Sequence, residues 1–158
     1  MTPSEVEEFL AEPRLCHFAT VDADGLPRVR PLWFLWRDEA FWFTTRLEAR
    51  HTGRDVASSG RATISIASDD RPYRAVLAAG VVDTIGKDRA LLEAISTRYG
   101  RREGLTWLRG AMEEPDRTVL RMAPKRLVSW NYGRGDYRRQ NRGDSMRTAA
   151  LRPPERGE

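Results

Sequence analysis

Apolar positions recur along this chain in two rhythms. Residues 2–12 place Val6, Phe9 and Leu10 at i, i+3 and i+4, one stripe of a short helix. Thr2 and Glu5 ahead of that stripe form a capping box, with Pro3 at the first helical position. From residue 15 the rhythm changes. Residues 15–21, 29–36 and 41–45 are short runs rich in β-branched and aromatic side chains. Asp22-Ala23-Asp24-Gly25 and Arg37-Asp38-Glu39 separate them, and together they predict a meander of three strands. Residues 48–59 predict a short polar helix, weakened by Gly53. Strands resume at 61–67, where Ala62, Ile64 and Ile66 share one side, and at 73–85. Gly80 inside the second predicts a bulge or bend. Residues 88–99 make the strongest helix, burying Leu91, Leu92 and Ile95, with Gly100 as its C-cap. Residues 105–112 add a turn or two of helix, and 119–122 and 126–130 are the last strands. Six or seven closely spaced strands with inserted helices predict a mainly β (α+β) closed antiparallel barrel.

Composition adds limits to this pattern. A length of 158 residues with 40% apolar side chains fits one globular domain. That domain spans residues 1–133, and a basic C-terminal arm, partly disordered, spans 134–158. The net charge is +4, and every basic residue except Lys87 and Lys125 is arginine. Seven arginines against four acids fall in residues 134–158, so the body is nearly neutral. A nucleic-acid-binding domain needs a basic stripe on its folded face, so no nucleic-acid partner is expected. No apolar run approaches the ~18 residues of a membrane-spanning helix. Glu5, Glu7, Glu8 and Glu12 do not suit a signal peptide. The single Cys16 has no disulfide partner in the chain, and a cytoplasmic location without membrane contact is expected.

Candidate chemistry concentrates in residues 43–54. A strand delivers the hydroxyls of Thr44 and Thr45, and the chain then turns into a helix with Arg46, Arg50 and Arg54 at a spacing of four. On one helical face these cations repel unless an anion sits before them. Free N–H groups at the helix start add to that attraction, so the segment reads as a phosphate cradle. The alternative is a solvated basic face with Glu48 and Asp55 as partners. In the segment Arg28-Val29-Arg30-Pro31-Leu32-Trp33-Phe34, Pro31 marks a sheet edge or bulge whose backbone is open to a flat ligand. The alternative there is a plain core strand. His17 reads as a satisfied core residue and Cys16 as packing. The sequence holds no P-loop, no dinucleotide fingerprint, no Ser/His/Asp order and no metal-ligand spacing.

These residues carry a resemblance. A short helix, then residues 18–34 with Asp24-Gly25-Leu26-Pro27-Arg28-Val29-Arg30-Pro31-Leu32-Trp33, then Phe41-Trp42-Phe43-Thr44-Thr45, then Arg50 and a second short helix resemble the pyridoxamine 5′-phosphate oxidase-like superfamily. The likeness covers about residues 5–132. It implies a six-stranded antiparallel split β-barrel with flanking helices, working as a homodimer with two cofactors at the interface. It implies that Arg30, Pro31, Leu32 and Trp33 line the isoalloxazine ring, mostly through backbone groups. It further implies that Thr44, Thr45, Arg46 and Arg50 hold the cofactor phosphate, that Trp130 approaches the cofactor, and that Tyr73 and Arg74 open the strand facing the interface. The vitamin-producing oxidases have an Arg/His motif after a late Trp. Here Trp130 is followed by Asn131-Tyr132-Gly133, so pyridoxine phosphate is not the expected substrate. The expected function is an oxidoreductase transferring hydride between a flavin-type cofactor and a small organic molecule. FMN is the expected cofactor and the deazaflavin F-420 the alternative. The rival reading is a non-catalytic flavin- or haem-binding storage protein on the same barrel.

Overall fold

The structure is a computed structural model that describes residues 1–134. Residues 135–158, and with them the expected disorder of the arm, lie outside the described residues.

The opening helix α1 (Pro3–Ala11) forms as its capping box requires. Glu5 N–H donates to Thr2 Oγ1 at 3.3 Å and Thr2 N–H donates to Glu5 Oε2 at 2.7 Å. Its Val6, Phe9 and Leu10 are buried. Strands β1 (Cys16–Val21) and β2 (Pro27–Leu32) form an antiparallel hairpin. Asp22 Oδ1 closes its turn by accepting the N–H groups of Asp24 and Leu26 at 3.0 and 2.9 Å.

Beyond β2 the structure departs from the expected meander. The run 29–36 is two strands, because the ladder stops at Leu32 and β3 (Phe34–Arg37) begins after Trp33. Strand β3 pairs with β4 (Ala40–Arg46) across a two-residue turn in which Asp38 and Glu39 both have φ near +50°. The sheet order is β2-β1-β5-β6-β7-β4-β3, so β2 and β3 occupy opposite edges. Two trans peptide steps of 3.8 Å limit Leu32 and Phe34 to about 7.6 Å between Cα atoms. The seven-stranded sheet must therefore curl until its two edges meet at Trp33. The hydrophobic run hides this break because no turn residue marks it.

The rest of the chain fills and closes the curl. Helix α2 (His51–Ser59) follows β4 and ends on Gly60 in the left-handed conformation. Gly53 is not a weak point: a Cβ there would lie 2.5 Å from Arg46 O and from Leu47 Cα, so glycine lets α2 press on the end of β4. Strand β5 (Arg61–Ala67) buries Ala62, Ile64 and Ile66 as its alternation predicts. Strand β6 (Arg74–Gly86) shifts register at Gly80, where a bulge or bend is expected, and the extra residue is Lys125 on the facing strand. Opposite it, the two last strands expected at 119–122 and 126–130 are one strand, β7 (Arg117–Asn131). Pro124 pairs with Gly80 at the register shift, so the bulge absorbs the proline and the ladder continues. The division of β2 from β3 and the union of the last two strands offset one another, so seven strands form among the described residues, against the six that the resemblance implies.

Helix α3 (Arg89–Thr97) buries Leu91, Leu92 and Ile95 as expected. Helix α4 (Arg101–Glu113) starts earlier than the expected 105–112. Gly100 is its N-cap, at φ 138°, not the C-cap of α3. A Cβ on Gly104 would sit 2.5 Å from Ser96 O, so the two helices cross at a glycine. The main core joins Phe9 and Leu10 of α1 to Phe18, Phe34, Phe41, Phe43, Ile64, Ile66 and Met122. A smaller cluster of Leu91, Leu92, Leu108 and Val119 seats the α3–α4 pair on the outer side of β4 and β7. Among the described residues the outer face of the β2-β1-β5-β6 half has no such cover: Val21, Val29 and Val81 are exposed there. His17 is exposed on this face too, a correction to its expected place in the core. Strand alternation puts Cys16 and Phe18 inside and His17 outside. Burial pushes the Cys16 thiol far above its usual range. Among the described residues no helix is long and apolar enough to cross a membrane.

Candidate cofactor site

The end of β4 and the start of α2 meet the β1–β2 hairpin at one end of the curled sheet. Along β4 the alternation turns Phe43 and Thr45 inward and Thr44 and Arg46 outward. The two threonine hydroxyls thus face opposite sides of the sheet. Thr44 Oγ1 donates to Thr118 O at 3.0 Å, while Thr45 is buried.

The three arginines at a spacing of four do not share a helical face. Arg46 is in β4, Arg50 is the N-cap residue of α2, and Arg54 lies in its first turn. Arg46 Nε–H donates to Asp116 Oδ1 at 2.7 Å. The other Asp116 oxygen accepts the N–H groups of Glu48 and Ala49 at 3.2 and 3.1 Å. The Arg46 hydrogen bond, helped by these amides, outweighs desolvation and pulls the Asp116 carboxyl down to about 2. Arg46 is therefore half of a closed pair.

A second pair lies beneath α2. Arg28 and Arg30 are two apart on β2 and face inward with Thr20 and Phe18 of β1. Arg30 donates to Asp55 Oδ2 at 2.7 Å and to Thr20 Oγ1 at 3.0 Å. Arg28 lies 2.7 Å from Asp22 and 3.4 Å from Asp55. The Asp55 side chain is only 4% exposed. Burial raises its carboxyl, but hydrogen bonds from Arg30 and Thr20 and the charges of Arg30 and Arg28 more than reverse this and hold it below the usual range. Asp55 thus pairs with the β2 arginines, not with those of its own helix.

These pairings leave two cations over. Among the described residues neither Arg50 nor Arg54 forms an ion pair. Both are exposed, and Arg54 Nη2 and Arg28 Nη1 approach His51 Nδ1 at 3.2 and 3.0 Å. No side chain caps α2, so the N–H groups of its first turn add their dipoles to the same place.

The expected ring-facing segment runs from this cluster along an open edge. Strand β2 pairs only with β1, so its other row of backbone groups has no ladder partner. Pro31, exposed on that edge, has no N–H to leave unpaired. The Arg30 side chain is committed inward, and Leu32 packs against the core. Trp33 turns outward and stacks on Tyr99 with centroids 5.1 Å apart, and Trp107 meets it edge-on at 5.8 Å.

The remaining expected site residues lie elsewhere in the same chain. Trp130 pairs with Ala75, and Arg74 with Asn131. Strand β7 is four places from β2, about 19 Å along the sheet at ~4.8 Å per strand. Arg74 donates to Glu12 at 3.0 Å and covers the Phe9 ring. Tyr73 lines an open groove of about 550 Å³ with Arg71, Pro72, Tyr132 and Gly133. Trp130 meets Tyr132 edge-on at 6.4 Å.

Sequence reasoning gave no role to Thr20, His51 or Asp116. Only Arg28 had a readable signal, since residues two apart in a strand share a face. Asp116 is 70 positions from Arg46, and no local pattern joins them.

Comparison with known proteins identifies the family of the chain and agrees with its fold. The family model described as pyridoxamine 5′-phosphate oxidase matches residues 2–131. A solved F420 reductase is similar at 26% identity and a TM-score of 0.63, over 77% of this chain and 94% of that one. A conserved hypothetical protein from Mycobacterium tuberculosis matches 96% of this chain and 94% of its own, at 19% identity and a TM-score of 0.69. The haem storage protein HutZ from Vibrio cholerae matches 82% of this chain and 93% of its own, at 22% identity and a TM-score of 0.63. No curated protein matches the sequence.

Proposed function

The chain belongs to the pyridoxamine 5′-phosphate oxidase family, and from that premise we propose that it binds a phosphorylated flavin-type cofactor at the start of α2. The observation that carries this reading is the pair Arg50 and Arg54, left without acidic partners at an uncapped helix N-terminus. Two unmatched guanidinium groups and the free first-turn N–H groups suit a phosphate dianion in charge and in donor geometry. FMN, with one phosphate, fits this compact cluster. F-420 is the alternative, supported by the likeness to an F420 reductase. Either cofactor would supply a ring that accepts or donates hydride, and an oxidoreductase acting on a small organic molecule follows.

The chain's own residues bind and orient. Arg50 and Arg54 hold the phosphate, with Arg28 beside them. Asp55 fixes Arg30 and Arg28 and neutralises the cluster beneath. The unpaired edge of β2 from Arg30 to Trp33 offers backbone groups to the ring. In place of an Arg/His motif after Trp130 stand Asn131, Tyr132 and Gly133, which argues against a vitamin phosphate as substrate.

We further propose that the working form is a homodimer. Among the described residues nothing covers the apolar outer face around Val21, Val29 and Val81. Tyr73 and Trp130 lie at strands three and four places from β2 along the sheet, and a second copy would bring them to the cofactor. A storage role has one specific support, the likeness to HutZ together with an exposed His17 on that open face.

The cradle is tested by titrating FMN and F-420 into wild type and into Arg50→Ala/Arg54→Ala. Loss of charge-assisted contacts of about 1.5–3 kcal/mol should weaken binding roughly tenfold to a hundredfold or more. Unchanged affinity in the folded double variant would remove this site assignment.

A further inference from the structure

The turn that leads into the cradle hangs on one residue. Asp116 precedes β7, and its carboxylate accepts Arg46 Nε–H, Glu48 N–H and Ala49 N–H. Its backbone carbonyl accepts Leu47 N–H at 3.0 Å. Four consecutive residues, 46–49, are thus held by one partner, and the next residue is Arg50, the N-cap of α2. From the other side Gly53 brings α2 against Arg46 O and Leu47 Cα, where even a Cβ would sit at 2.5 Å. The turn is clamped between Asp116 and α2. The Asp116 side chain is 12% exposed, so water replaces little of this network.

We propose that Asp116 is a positioning residue for the phosphate cradle, and that Arg46 is its counter-ion rather than a phosphate ligand. This rests on the cofactor reading above and deepens it. Electrostatics alone would give Asp116 the opposite role, because a carboxylate near an anion site repels the anion. Positioning wins when the cost of a displaced Arg50 and a displaced helix start exceeds that repulsion. Hydrogen bonds from four residues to one partner make the turn an all-or-none arrangement, and releasing it moves the donors that the phosphate needs.

The two roles predict opposite signs, and comparing FMN with riboflavin isolates the phosphate. Binding of each is measured by flavin fluorescence on the full chain, in wild type, Asp116→Asn and Arg46→Met. Positioning predicts that Asp116→Asn weakens FMN about tenfold and leaves riboflavin unchanged, a selectivity that general loss of stability would not produce. Arg46→Met should weaken FMN less than Arg50→Ala does. Equal or tighter FMN binding in Asp116→Asn would overturn the proposal, as would a loss in Arg46→Met matching that in Arg50→Ala. Should Asp116→Asn not fold, the Arg46→Met comparison decides alone. Where F-420 is the ligand, F-420 and its phosphate-free core replace the flavin pair. Wild type that binds neither cofactor defeats the functional reading itself, a result distinct from a sign reversal in the variants.

Discussion

Single side chains decide where this sheet opens. Tyr99 Oη accepts Phe34 N–H at 2.9 Å and reaches Arg14 O at 2.7 Å. It supplies a partner to the first residue of β3, where the ladder of β2 has ended. Beside it Arg98 donates to the carbonyls of Leu10 and Glu12 at the end of α1. Tyr99→Phe keeps the ring stacked on Trp33 but strips the Phe34 N–H of its partner. A cost of about 1–3 kcal/mol is expected, read as a lower urea midpoint with an unchanged slope. At the same scale, Asp116 gives a pH dependence with a definite sign. Its folded carboxyl is held near 2, below the unfolded value of about 4. Its contribution is therefore complete above pH ~4 and is lost as pH falls through about 2. The stability gap between wild type and Asp116→Asn should be constant near neutrality and close between pH 4 and 2. A gap that widens on acidification would contradict the pairing.

Elements show what local sequence can and cannot carry. The capping box of α1 and the alternation of β5 were legible because every partner lies within a few residues. The succession of strand, turn and helix start in the threonine–arginine segment was legible for the same reason. Its inner division was not. Thr44 and Thr45 part because strand alternation runs to the end of β4, and Arg46 is captured by a residue 70 positions away. A glycine misled in the same manner. Gly53 looks like a poor helix former in isolation, yet it is a place where another backbone comes to 2.5 Å from a would-be Cβ. Pro124 looks like a strand end, yet Gly80 on the facing strand makes room for it. Each misreading traces to a contact that is distant in sequence.

At the scale of the whole molecule, the family resemblance named a split barrel, while the hydrophobic pattern alone placed the first strands in a meander. The difference lies in Trp33, a single residue that joins the two edges of a seven-stranded sheet and forces it to curl. That curl brings the start of α2 against the β2 edge and so builds the cradle from segments far apart in the chain. Among the described residues it also leaves half of the outer face apolar and uncovered, with Trp130 and Tyr73 near the Arg74–Asn131 end of the β6–β7 pair. On the proposed reading, one copy would hold the phosphate end of a site and offer Tyr73 and Trp130 to the site of a second copy. The most direct measurement is native mass spectrometry of the protein from a host that makes both FMN and F-420. The expected result is a dimer carrying two copies of one of them, with FMN favoured by the single phosphate cluster. A monomer without cofactor, or a dimer carrying haem in its place, would contradict it.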